Sequence, residues 1–227
     1  TNDCISKGKD YNAGGARYNT SYLQGVGIGT VTDCLAAIRY QVYQEKNIPM
    51  KELLRAMRED FVNDPQILSL VQNFTPKYGN DDDFADAVMQ DVFGYYQKAV
   101  TGRPNQRGGS YRINMLPTTC HVYFGEVMLA SANGRRAHKP VSEGISPEKG
   151  ADTHGPTAVL RSCAKMDHIR TGGTLLNHLG SGQIEGTAPP FHHRFGSSGG
   201  DRGLDFVAAE IGKLQGLADV DAVDDPR

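Results

Sequence analysis

The chain has 227 residues, 38% of them hydrophobic, and a formal charge of -2 with acids and bases interspersed. That is enough apolar material for a core and offers no basic stripe to neutralise phosphates, so nucleic acid is not expected as a partner. No apolar run approaches the ~20 residues a membrane-spanning helix requires, and "TNDCISKGKD" at the start has neither an initiator methionine nor a secretory apolar region. A soluble chain that begins mid-protein is expected. Cys4, Cys34, Cys120 and Cys163 are widely spaced, with no CxxC, which suits reduced intracellular thiols.

Residues 12–24, "NAGGARYNTSYLQ", read as a loop leading into a weak strand. In "GVGIGTVTDCLAAIRYQVYQEK", Thr30 or Thr32 can cap a helix with Leu35, Ile38 and Val42 on its apolar side and Cys34 within it. A second helix, "PMKELLRAMREDFV", has Pro49 in a first-turn position and Leu53, Leu54, Met57 and Phe61 on one side. A third, "DDDFADAVMQDVFGYYQKAV", opens on an acidic cluster suited to the positive end of a helix dipole. Asp81 to Asp83 are therefore read as caps rather than metal ligands.

After the turn-forming "TGRPNQRGG", Val122, Tyr123, Phe124 and Val127 favour a strand between Pro117 and Gly125. The Gly-, Pro- and Ser-rich stretch over 131–163 is a long irregular segment, which in a compact domain is usually functional. Beyond about residue 179 the character changes to turn-rich sequence, an amphipathic helical pattern over 204–217 and an acidic end.

Several apparent signals fail on inspection. The glycines of "GVGIGT" resemble a phosphate-cradling loop, but "ARYNTSYLQ" before them is too polar for the buried strand such a fingerprint follows. Close backbone packing is the simpler reading. Seven histidines include no HExxH, and His192–His193 have no ligand-spaced Cys or carboxylate. Asp167 and His168 are adjacent, so their side chains diverge and cannot easily serve one substrate atom. No GxSxG elbow is present.

Five blocks say more: "GGARYNTSYLQGVGIGTVTD" (14–33), "TPKYGNDDDFAD" (75–86), "GRPNQRGGSYRINMLPTTCHVYFGEVM" (102–128), "KPVSEGISPEKGADTHGPTAV" (139–159) and "SCAKMDHIRTGGTLLN" (162–177). In this order and at these spacings, they resemble the C-terminal half of glycyl radical enzymes, the pyruvate formate-lyase-like superfamily, and most of all its hydroxyproline dehydratase branch. The resemblance implies an α/β fold: part of a ten-stranded α/β barrel ringed by helices, with residues 1–178 the C-terminal portion of that barrel. Residues 179–227 do not resemble the family and are expected to be a divergent tail, frameshifted and poorly ordered.

It also implies the chemistry. A stored glycyl radical takes hydrogen from a cysteine thiol, and the thiyl then abstracts hydrogen from a substrate C–H inside a closed cavity. The family's G-C-V-E cysteine loop and R-V-x-G-Y glycine loop are both absent from this sequence. The chain is thus expected to be an inactive fragment of an enzyme that dehydrates a hydroxylated small molecule, trans-4-hydroxy-L-proline to a pyrroline carboxylate. A diol or glycerol dehydratase, a pyruvate formate-lyase, and a non-catalytic remnant are the alternatives. The intact enzyme is expected to depend on a radical-SAM activating enzyme, to be a homodimer and to be cytoplasmic, with no metal bound by this chain.

One site residue carries over. Thr118 in "MLPTTCHVYFG" aligns with a threonine that lines the family's substrate pocket, where a hydroxyl can orient the substrate. Without the resemblance, a threonine bonding its own backbone is the natural reading. In a strand, Cys120 and Val122 share the face of Thr118, with Thr119, His121 and Tyr123 opposite. Cys120 is then a wall residue outside the thiyl motif. Cys4, Cys34 and Cys163 receive no catalytic role. Gly144, Gly150 and Gly155 are expected to serve backbone geometry.

Overall fold

The computed structural model describes residues 2–176. The tail expected over 179–227, with His192, His193 and the helical pattern at 204–217, lies outside the described residues. Two strands, β1 (Ser21–Gln24) and β2 (Tyr111–Asn114), pair in parallel with Ser21 opposite Tyr111 and Gln24 opposite Asn114. A parallel pair needs a crossover, and here it holds four helices: α2 (Ile28–Ala37), α3 (Met50–Arg58), α4 (Pro65–Asn73) and α5 (Asp83–Val100). A short α1 (Asn2–Lys7) precedes β1, while α6 (Cys120–Val127) and α7 (Pro156–Ala164) follow β2. The other edge of β2 is covered by residues 172–175: Gly172 N–H donates to Ile113 O at 2.8 Å and Met115 N–H to Gly173 O at 2.9 Å.

Helix α5 forms for the reasons its sequence announces. The Asp82 carboxylate accepts from the amides of Phe84 (3.0 Å) and Ala85 (3.1 Å), satisfying donors that have no partner inside the helix. Met89, Phe93 and Val100 then recur at helical spacing and are buried in one cluster with Ile113, Met115, Val159 and Cys163. Each large side chain buried this way contributes about 1.5–3 kcal/mol. A second core joins α3 and α4 through Leu53, Ala56, Phe61 and Val71, with Ala37 from α2.

Three expectations are corrected. Leu35 and Leu54 are 43% and 44% exposed, because Ala36, Ala37, Leu53 and Ala56 take the inward positions of their helices. Neither Thr30 nor Thr32 caps α2; Gly27 occupies the cap position, and α2 continues into a π-helical segment, Ile38–Gln44. The strand expected across Val122–Val127 is helix α6 instead. Its β-formers are not packed as a strand would pack them: Tyr123 is 62% and Val127 81% exposed. The sheet position is taken by Tyr111–Asn114, whose Arg112 and Asn114 obscured it in the sequence.

Candidate functional site

In parallel sheets, ligands gather where strands end. The described strands end at Gln24 and Asn114, and there the chain leaves β2 through Met115, Leu116 and Pro117 to reach Thr118. Gly25 N–H donates to Asn114 O at 2.8 Å, extending the ladder by one step, and the Gln24 amide donates to Leu116 O. Pro117 holds Leu116 out of helical conformation. From the other side, Gly144 presses on this segment: at φ +50, a side-chain carbon added to it would lie 2.7 Å from Met115 O. Only glycine fits there.

Thr118 is half-buried, and its hydroxyl oxygen is buried with no hydrogen-bond partner among the described residues. Its carbonyl lies 2.6 Å from His121 Nδ1, and Glu143 Oε2 lies 3.7 Å from that same nitrogen. Because residues 120–127 are helical, successive side chains turn by about 100° and do not alternate. Cys120 and Val122 therefore do not share a wall with Thr118 as strand geometry required, and Cys120 is exposed at the first turn of α6.

Two concavities flank the segment. One, of about 610 Å³, is apolar and lined by Ile28, Val31, Val92, Tyr96, Phe124 and Met128 among others. The second, of about 890 Å³, is polar, and its wall includes Asp33, Lys77, His121, Arg135, Glu143 and Glu148. Thr118 is in neither wall. Burial pushes the Asp33 carboxyl up to about 7 and the Glu148 carboxyl upward, and pushes Lys77 down, so the buried charges of this cavity are biased toward neutrality. Arg135 is buried with its guanidinium donating to Ser131 Oγ and to the carbonyls of Leu129, Arg136 and Lys139. These residues were missed in the sequence. The available signal was Thr30 and Asp33, polar residues three apart on a mostly apolar helix.

The remaining sequence candidates have structural partners. Asp82 is a helix cap, as expected, while Asp81, Asp83 and Asp86 converge on Lys165 Nζ at 3.1, 3.0 and 2.6 Å. His168 uses both ring nitrogens, against Thr174 Oγ1 (2.9 Å) and Cys163 O (2.7 Å), and Asp167 pairs with Arg170 at 2.8 Å. Gly29 lies against the loop, where an added carbon would be 2.7 Å from Ser146 O, which is the close backbone packing expected of "GVGIGT". Burial raises the thiol of Cys34 and pushes that of Cys163 up to about 12, so neither is a thiolate at neutral pH. Among the described residues, no group of three or more His, Cys, Asp or Glu could hold a metal ion. No described helix is long and apolar enough to cross a membrane.

The family profile described as "Pyruvate formate lyase-like" matches residues 1–125, and that described as "Glycine radical" matches residues 141–185. The chain belongs to the pyruvate formate lyase-like family. Among its relatives, the trans-4-hydroxy-L-proline dehydratase of Clostridioides difficile is 66% identical over 175 residues, covering 77% of this chain and 22% of the relative. The structure of hydroxyproline dehydratase (HypD) from Clostridioides difficile with trans-4-hydroxy-L-proline bound superposes with a TM-score of 0.78. It is 55% identical and covers 95% of this chain and 26% of that one. The glycerol-bound form of the B12-independent glycerol dehydratase from Clostridium butyricum gives a TM-score of 0.74 at 38% identity, over 78% of this chain and 22% of that one. The chain thus spans about a fifth to a quarter of these relatives. Within the family, the β1–β2 pair and its helices form part of the α/β barrel of glycyl radical enzymes.

Proposed function

We propose that the protein carrying this segment is a glycyl radical dehydratase that removes water from trans-4-hydroxy-L-proline to give a pyrroline carboxylate. The observation that carries this reading is the 66% identity to the dehydratase of that substrate. The glycyl radical, through a cysteine thiyl, supplies hydrogen-atom abstraction. This segment supplies positioning, through Thr118. Its buried hydroxyl, without a partner among the described residues, supports the role, because such a group costs about 1–3 kcal/mol and a rotation about one bond lets it meet a polar group of a bound substrate. Orientation of this kind raises the rate by holding the reacting C–H near the thiyl, without proton transfer.

The sequence contains neither G-C-V-E nor R-V-x-G-Y, so in this reading the isolated chain is inactive and turnover belongs to the longer protein. A radical-SAM activating enzyme, a homodimeric assembly and a cytoplasmic location belong to the same proposal. The test is anaerobic assay of the activated full-length protein with trans-4-hydroxy-L-proline, glycerol and propane-1,2-diol, the pyrroline product being measured by chromatography. Thr118→Ala is expected to lower kcat/KM for hydroxyproline about tenfold or more, with the glycyl radical signal intact and Thr118→Ser largely restoring activity. Turnover of a diol in place of hydroxyproline would refute the substrate, and loss of the radical signal in Thr118→Ala would refute the assigned role.

A further inference from the structure

We propose that His121, backed by Glu143, is a positioning residue that sets the orientation of Thr118. The inference rests on the substrate role of Thr118 argued above and adds the device that aims it. His121 sits in the first turn of α6 and folds back so that Nδ1 lies 2.6 Å from Thr118 O. A carbonyl oxygen can only accept, so Nδ1 carries the hydrogen and the tautomer is determined by the contact. Glu143 Oε2 lies 3.7 Å from that same nitrogen, on the side of the ring that faces Thr118 O.

The arrangement closes on itself. Glu143 precedes Gly144, whose backbone rests against Met115 O, Leu116 and Pro117, the residues that carry the chain to Thr118. His121 O in turn accepts from Val141 N–H at 3.2 Å, which ties the start of the same loop to α6. The carbonyl of Thr118 is therefore held by the imidazole while its approach is held by residues 141–144. With the peptide plane after Thr118 and the residues before it both held, the Cα–Cβ direction is set, and the hydroxyl has one torsion left. His121 and Glu143 also line the polar cavity, both with 23% exposed side chains, so neither is an inert core residue.

The experiment is a double-mutant cycle in the activated full-length protein, with hydroxyproline as substrate and the glycyl radical signal as the check on folding and activation. His121→Ala is expected to lower kcat/KM roughly tenfold, and His121→Asn, whose side-chain amide places a donor where Nδ1 was, to recover most of it. In a Thr118→Ala background, the further loss from His121→Ala is expected to shrink to less than about twofold, since residues acting through one another are not additive. Should His121→Ala fail to accumulate, His121→Gln, which keeps bulk but displaces the donor, replaces it in the cycle. Full additivity, or an unimpaired His121→Ala beside an impaired Thr118→Ala, overturns the proposal and leaves the role of Thr118 standing. An unimpaired Thr118→Ala overturns that role itself.

Discussion

Thr30 and Ser142 exchange two hydrogen bonds across 112 residues of sequence: Thr30 N–H donates to Ser142 Oγ at 3.0 Å, and Ser142 N–H donates to Thr30 Oγ1 at 2.8 Å. Thr30 lies in the first turn of α2, where backbone amides have no partner within the helix, so a loop hydroxyl from far along the chain caps it. The Thr30 hydroxyl, expected to cap its own helix, instead anchors that loop and also contacts the Glu148 carboxylate. Both residues are buried, which removes water as a substitute.

Thr30→Val keeps the volume and deletes the acceptor for Ser142 N–H, leaving a buried donor unpaired at a cost of about 1–3 kcal/mol. The loss should be local to residues 141–148. In hydrogen exchange with the full-length protein, peptides spanning Ser142 are expected to exchange roughly tenfold to a hundredfold faster, with α5 unaffected. Unchanged protection of Ser142 would show that the reciprocal pair does not hold the loop.

Asp33 predicts a pH dependence. It is fully buried, one carboxylate oxygen accepts from Tyr78 N–H at 2.9 Å, and the other has no partner among the described residues. Burial raises its pKa from 3.8 to about 7, with Lys77 opposing the rise. The folded state therefore keeps a proton that the unfolded chain releases, and stability falls as pH rises from about 4 to about 7, then levels. The largest contribution such a shift allows is about 4 kcal/mol. Asp33→Asn keeps the shape and removes the ionisation. Thermal melts of the full-length protein should give similar midpoints for variant and wild type near pH 4 and a higher midpoint for the variant at pH 8. Parallel pH profiles would contradict an ionisable, destabilising Asp33.

What could be read in advance divides along contact distance. Helix α5 was legible because its cap, Asp82, and its apolar face lie within one continuous stretch. β1 was legible as a weak strand for the same reason. α6 was misread because Val122, Tyr123 and Phe124 carry β propensity, whereas propensity reports packing that the described residues do not give them. The cavity around Asp33, Lys77 and Glu148 was not legible, since its members meet only when the irregular 129–155 segment folds back over α2. Thr118 became a candidate through family resemblance alone, and His121, although three residues away, was placed on the face opposite Thr118 by assuming strand geometry.

Lys165 supplies the last prediction. Its ammonium, at the end of α7, meets Asp81, Asp83 and Asp86 at the start of α5, so one cation joins two helices. Asp86 is the decisive partner, with a side chain only 1% exposed and Ser162 Oγ donating to the same carboxylate oxygen at 3.0 Å. Burial raises the Asp86 pKa, and Lys165 opposes that rise. Lys165→Met removes the opposition and leaves a buried carboxylate that must either stay charged without its cation or take up a proton. The variant is then penalised most where an unfolded aspartate is ionised, above about pH 4, with the penalty growing until the raised pKa is passed. A loss of about 2–4 kcal/mol is expected at pH 8, shrinking toward pH 4. Adding Asp86→Asn should recover most of it, because a neutral amide no longer needs the cation. Equal destabilisation at pH 8 and pH 4, or no recovery in the double variant, would show that Lys165 does not act by neutralising Asp86.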